Sequence, residues 1–215
     1  MRRVSLFNRC FFLLLGIAFS QAVFSQLTFK DYFNEQTPLT WLGVDFTEAK
    51  VSGHSDFEVK DLKDRHFTAI NELVLNEAKK YDLSKFFHRS DVKTDISTVE
   101  THNDKIDADK LKSTGGDDEN HLSPAAVEKL AKGYSYSGKK GIGAMVVVES
   151  MNKTREHGTA YLVFLDLSNS KVLYSEKFTE KGGGFGLRNY WAKLVYNVLS
   201  EADDKYKTWK KANGL

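Results

Sequence analysis

Three apolar segments, Ile142 to Glu149, Thr159 to Leu167 and Lys171 to Phe178, are separated only by the polar turns at Asn152 to Gly158 and Ser168 to Ser170. Segments this rich in Val, Leu, Tyr and Phe read as strands, and turns this short leave no room for a crossover helix. They are therefore expected to pair antiparallel as a meander. A glycine-rich turn, Gly182 to Gly186, leads out of the third segment into a long helical pattern. Trp191, Leu194, Val195, Val198, Leu199, Ala202, Tyr206 and Trp209 share one face of that helix, and Lys193, Asn197, Glu201 and Lys205 fall mostly on the other. An apolar stripe of that length needs a partner surface, so the helix is expected to lie across the sheet.

The N-terminal half adds to this frame. Leu39 to Phe46, directly after Pro38, carries Trp41, Leu42, Val44 and Phe46 and predicts a buried strand. From Leu62 to Tyr81 the period lengthens, with Phe67, Ile70, Leu73, Val74, Glu77, Ala78 and Tyr81 mostly three or four apart, which predicts a helix. Ser90 to Glu100 alternates weakly through Val92, Ile96 and Val99 and predicts an edge strand. Asp104 to Asn120 concentrates six acidic residues around Gly115 and Gly116, and a mobile polar loop is expected near 103–121. It ends at a helix start, with Ser123 as cap, Pro124 in the first turn and Val127, Leu130 and Ala131 as a short apolar face. The order predicts a single α+β domain over 26–215: a mixed sheet of about five strands packed by about three helices.

Residues 1–25 read as a secretory signal peptide. Arg2, Arg3 and Arg9 precede an apolar run from Phe11 to Phe19, and the small residues Val23 and Ser25 suit a cut before Gln26. The run is shorter than the roughly 20 residues that span a bilayer, so no stable membrane anchor is expected once the segment is removed. Lys and Arg total 31 against 29 Asp and Glu in the whole chain. Without the three arginines the balance is 28 against 29, a near-neutral chain with no electrostatic footprint for nucleic acid. Cys10, the one cysteine, lies in the same segment, so thiolate catalysis, disulfides and zinc–thiolate sites are not expected beyond it.

The motifs are sparse. Gly133, Gly138, Lys139 and Lys140 match a phosphate-binding loop except that lysine stands where Ser or Thr would hold magnesium, and the helix precedes the loop instead of following it. Gly182, Gly183, Gly184 and Gly186 have the right strand-to-helix context but miss the dinucleotide spacing. Backbone amides there, flanked by Lys181 and Arg188, are the sequence's candidate ligand-binding site, suited to phosphate, sulfate or carboxylate. The alternative is a turn whose glycines permit close packing. The six histidines hold no H-E-x-x-H pair, and His121 beside Asp117, Asp118 and Glu119 is a weak cation site at most. No G-x-S-x-G or calcium-loop order occurs. No catalytic residue, metal or cofactor is therefore expected. Asn152-Lys153-Thr154 fits a glycosylation acceptor, and Tyr134 and Tyr136, in a Gly/Ser loop, read as exposed contact tyrosines.

The strand ending Gly43-Val44-Asp45-Phe46, the helix after it, and Tyr161-Leu162-Val163-Phe164-Leu165-Asp166-Leu167 followed by Lys171-Val172-Leu173-Tyr174 resemble the small domain of bacterial envelope accessory proteins. These include the curli-secretion lipoprotein, the activator lipoproteins of peptidoglycan synthases and the N-terminal domain of TolB. Phe178 to Trp191 is also similar to secreted proteins of Gram-negative bacteria that have no assigned activity. The resemblance implies a secreted or periplasmic, non-enzymatic binding or accessory module of the cell envelope with an envelope protein as partner. The chain lacks those lipoproteins' anchoring cysteine. The competing expectation is a small-ligand, phosphate- or carbohydrate-handling enzyme using the Gly182 to Arg188 turn.

Overall fold

The three C-terminal segments do form an antiparallel meander, and the rest of the chain builds outward from it. The computed structural model describes residues 26–136 and 138–215, so the expected signal segment lies outside the described residues. After a 3-10 turn at Phe29–Phe33 come β1 (Leu39–Asp45), β2 (Lys50–Ser52), α1 (Asp56–Asp61), a π-helical turn at Leu62–His66, α2 (Phe67–Asn76) and α3 (Leu83–Phe86). They are followed by β3 (Lys93–Thr94), α4 (Ser97–Asn103), α5 (Ala108–Leu111), α6 (Pro124–Lys132), β4 (Ile142–Asn152), β5 (His157–Asp166), β6 (Lys171–Lys181) and α7 (Leu187–Ala212).

The sheet is open, mixed and six-stranded, in the order β3-β1-β4-β5-β6 with β2 also paired to β4. β1 runs parallel to β3 and β4, whereas β4, β5 and β6 are antiparallel neighbours. The fold is therefore the expected α+β class. Along β4, Ala144, Val146 and Val148 point into the larger core while Met145 and Val147 point into the smaller one. Along β5, Leu162 and Phe164 alternate in the same way with Val163 and Leu165. Both faces are thus covered, by α2 and α7 on one side and by α6 on the other, which is why these strands read as continuous apolar runs.

Four expectations change. The helix of the N-terminal half begins earlier, at Ser55, whose hydroxyl and Glu58 form a reciprocal capping box, and it stops at Asn76, so Glu77, Ala78 and Tyr81 lie beyond it. The edge strand at 90–100 shrinks to the two residues of β3, and Val99 belongs to α4, where it is fully buried. The polar segment at 103–121 carries α5, whose Leu111 is buried, and Lys112 bridges Val51 of β2. Tyr134 and Tyr136 are buried, not exposed.

Because β3 is so short, most of the outer edge of β1 has no strand beside it. Two asparagines take over. Asn71 of α2 accepts from the Val44 amide at 2.6 Å and donates to the Val44 carbonyl at 2.9 Å, and Asn103 of α4 accepts from Phe46 N–H and also donates to Val44 O, both at 2.9 Å. Gly43, at φ +102°, sits at a bulge in β1 where an added Cβ would come within 2.9 Å of Asn71 Oδ1. Both the conformation and the space require glycine there.

Tyr81 and Trp191 fix the end of the molecule at which α7 begins. The Tyr81 hydroxyl donates to Ala192 O at 3.1 Å, which fixes the segment after α2 against the start of α7. Trp191 Nε1 donates to His54 Nε2 at 3.2 Å. Burial holds the His54 imidazole below its usual pKa, which keeps the acceptor nitrogen neutral.

Candidate functional site: a cationic groove at the start of the long helix

The residues the sequence pointed to stay together in space, but they divide into two roles. Lys181 is the last residue of β6 and Arg188 lies in the first turn of α7; both are exposed. The amide of Gly182 donates to Glu156 O at 3.0 Å and that of Gly183 to Tyr190 O at 2.9 Å, so neither is available to a ligand. A Cβ on Gly182 would meet the Tyr190 ring at 2.3 Å, and this close approach is the reason for glycine there. Gly184 (φ +106°) and Gly186 (φ +79°) turn the chain in the left-handed region. Only beyond Gly183 does the turn face solvent, with Gly184, Phe185 and Gly186 exposed and no side chain capping the first turn of α7.

This division gives a first expected outcome. Gly182→Ala should destabilise the fold by about 1–3 kcal/mol through overpacking against the buried Tyr190. Gly183→Ala, whose Cβ would find only Lys193 Cγ at 3.6 Å, should stay within about 0.5 kcal/mol. Urea midpoints of the two variants check this, and equal midpoints would show that the glycines do not differ in role.

Beside the turn opens a groove of about 630 Å³. Lys181 and Arg188 line it from the turn, Glu77 and Lys80 from the segment after α2, and Lys193 and Asn197 from the next turns of α7. Asn197 Nδ2 donates to Lys181 O at 3.1 Å, tying the strand end to the helix. The Lys193 ammonium lies 4.5 Å from the Tyr196 ring centroid, and the Lys80 ammonium lies 5.1 Å from the Tyr81 ring and 6.0 Å from that of Tyr196, so two neighbouring tyrosines orient the two cations. Among the described residues, none of Lys80, Lys181, Arg188 and Lys193 forms an ion pair with a carboxylate. Glu77 is the one carboxylate lining the groove. Glu180, on the flank of β6, is held above the usual carboxylate range by burial and by the charge of Glu201, against the pull of Lys193. Phe185 projects from the turn and is 96% exposed.

Lys80 and Lys193 were not legible as partners of this turn, because their approach depends on how α2 and α7 cross. Phe185 carried a signal: a large apolar residue inside a glycine run, outside any periodic segment, has no place in a core.

The other candidates resolve into structure. Gly133 closes α6 in the helical region and the chain continues into β4, so the context of the phosphate-loop pattern is the reverse of what it requires. The His121 ring nitrogens face the carbonyls of Asp118 and Glu48, at 2.8 and 2.9 Å, not acidic side chains. Among the described residues no group of three His, Cys, Asp or Glu is placed to hold a metal ion, and no helix is long and apolar enough to cross a membrane.

A buried cluster was missed altogether. Asp45, at the end of β1, is fully buried, accepts from Thr47 N–H at 2.8 Å and Thr47 Oγ1 at 2.6 Å, and takes a short hydrogen bond from the Tyr134 hydroxyl. Burial pushes its carboxyl above the usual range against the pull of those donors. With no surface exposed, Asp45 pins the connection after α6 onto the sheet and has no route to a ligand.

The fold and the groove together define an α+β domain with an open mixed sheet and a cationic end that faces solvent. No protein-family model, curated protein or solved structure matches the chain.

Proposed function

We propose that this protein is an exported, non-enzymatic binding or accessory module of the bacterial cell envelope, and that the turn from Lys181 to Arg188 is its contact end. The observation that carries this reading is the pairing of opposites in one place: Phe185, 96% exposed, stands beside a groove lined by four cations and one carboxylate, with no ion pair formed between them. Isolated surface apolar residues are ordinary, but one set among unpaired charges at the tip of a turn is arranged for contact. The N-terminal Arg-then-apolar segment supports export.

The enzyme reading of the same turn has less behind it. The groove's lining includes no Ser, Thr, His, Tyr or Asp, leaving Glu77 as the only acid–base group apart from the lysines.

The test is a photo-crosslinking residue in place of Phe185, expressed in a Gram-negative host, with the same residue in place of the exposed Leu215 as control. The two positions lie at opposite ends of a 26-residue helix, about 39 Å apart along its axis. Adducts to an envelope component from position 185 and none from 215 are expected, and Lys181→Glu with Arg188→Glu should abolish them. Absence of any adduct from 185, or equal adducts from both ends, would overturn the assignment.

A further inference from the structure

Taking the turn as the contact end, we infer that what it contacts is an anionic phospholipid surface, with the cations meeting phosphate headgroups and Phe185 entering the interface between headgroups and acyl chains. This inference rests on the reading given under the proposed function and names the chemistry of the partner.

Three observations lead to it. First, Lys80, Lys181, Arg188 and Lys193 line one groove against a single lining carboxylate, Glu77, so the lining is net positive, with Glu180 and Glu201 on its flank, although the chain beyond residue 25 is close to neutral. Second, Phe185 is the tip of the glycine turn and almost wholly exposed, flanked in sequence by Lys181 and Arg188. An aromatic side chain bracketed by basic ones is the arrangement that settles at a membrane interface, where the ring leaves water and the cations stay with the headgroups. Third, the patch is small. A stable protein interface takes about 800 Å² and 20–30 residues from each partner, and this one offers a single apolar side chain within a mainly polar rim. A free phosphate would satisfy the cations but leave Phe185 without a role. A lipid surface uses both.

The contact is reversible by construction. No helix among the described residues can span a bilayer, and each cation near an anionic surface contributes only about fivefold in partitioning.

The experiment is vesicle co-sedimentation of the full chain and of Phe185→Ala, Arg188→Glu and Lys181→Glu variants. All share the same N-terminal segment, so differences among them report the turn. Vesicles are either equal parts phosphatidylglycerol and phosphatidylcholine or phosphatidylcholine alone. Phe185 and Arg188 are exposed, so neither variant disturbs the core, and matching circular dichroism spectra verify this. On anionic vesicles the reversal at Arg188 should weaken partitioning roughly 25-fold and Phe185→Ala roughly five- to tenfold, with far smaller differences among the forms on neutral vesicles. Inorganic phosphate at constant ionic strength should not compete.

Variants that partition like the unaltered chain would overturn the inference. So would binding that phosphate displaces and that ignores Phe185→Ala, because the source would then be free phosphate. If the crosslinker at 185 captures an envelope protein while the vesicle variants do not differ, the contact end stands and the lipid assignment fails. If neither experiment responds to the turn, both fail.

Discussion

Lys177→Met is expected to lower folding stability by about 3 kcal/mol, because it strands a carboxylate inside the sheet. Glu149 of β4 is fully buried and accepts from Leu122 N–H at 2.7 Å, Thr159 Oγ1 at 2.9 Å and the Lys177 ammonium at 2.6 Å. Lys177 reaches it from β6 with its outer end partly in solvent, and it also binds Asn120 Oδ1 at 3.1 Å and the Glu119 carbonyl. Removing the ammonium therefore leaves a charge without its counter-ion and frees the 119–122 segment from the sheet at the same time. Adding Glu149→Gln to Lys177→Met should recover more than half of the loss, since the amide oxygen still accepts from Leu122 N–H and the amide NH2 can donate to Thr159 Oγ1, with no charge to solvate. Urea unfolding of the two single variants and the double variant forms the cycle. A double variant no more stable than Lys177→Met alone would show that the buried charge is not the source of the cost.

A loss of similar size, about 3 kcal/mol, is expected from Asn71→Leu. The side chains are close in shape, so the change is chemical: the Val44 amide loses its acceptor inside the protein. Its carbonyl keeps Asn103 as a donor, which confines the orphan to one backbone group. Glu100, half-buried and already above the usual carboxylate range through desolvation, loses the Asn71 donor at 2.6 Å and is destabilised as well. Hydrogen exchange gives the direct reading. The Val44 amide should lose protection far more than the Met145 and Val146 amides of neighbouring β4, and uniform loss across both strands would point to a global effect instead.

These two sites mark the boundary of what the sequence could tell. The meander and α7 were legible because their signals are local: alternation along each strand, turns too short for a crossover, one stripe on one helix. The start of the N-terminal helix was also written locally, in Ser55 and Glu58, as a capping box. β3 was not. A two-residue strand has no periodicity, and its neighbour Val99 is buried by a helix that weak alternation concealed.

Tyr134 and Tyr136 lie outside any periodic segment, and Tyr134 is held by an acid 89 positions away. The candidate site shows the same split. Lys181 to Arg188 could be read as a turn rich in amides and cations, whereas the commitment of Gly182 and Gly183 to Glu156 and Tyr190, and the arrival of Lys80 and Lys193, are tertiary facts. The Asn71 and Asn103 contacts to β1 are tertiary in the same way, since nothing in a single helix announces that its asparagine completes a strand.

The position of β1 in the sheet bears on the order in which the chain can take shape. Apart from the two residues of β3, its partner is β4, with Leu39 opposite Ile142, a separation of 103 residues. At 5–20 residues per second of synthesis, β1 leaves the ribosome roughly 5–20 s before the strand it must join exists. Throughout that interval the Trp41, Leu42 and Val44 side chains have no sheet to enter. β4, β5 and β6, by contrast, can zip as soon as each turn is made. The nascent chain is thus an apolar N-terminal strand waiting for a C-terminal template, a state in which a holding chaperone has something to bind.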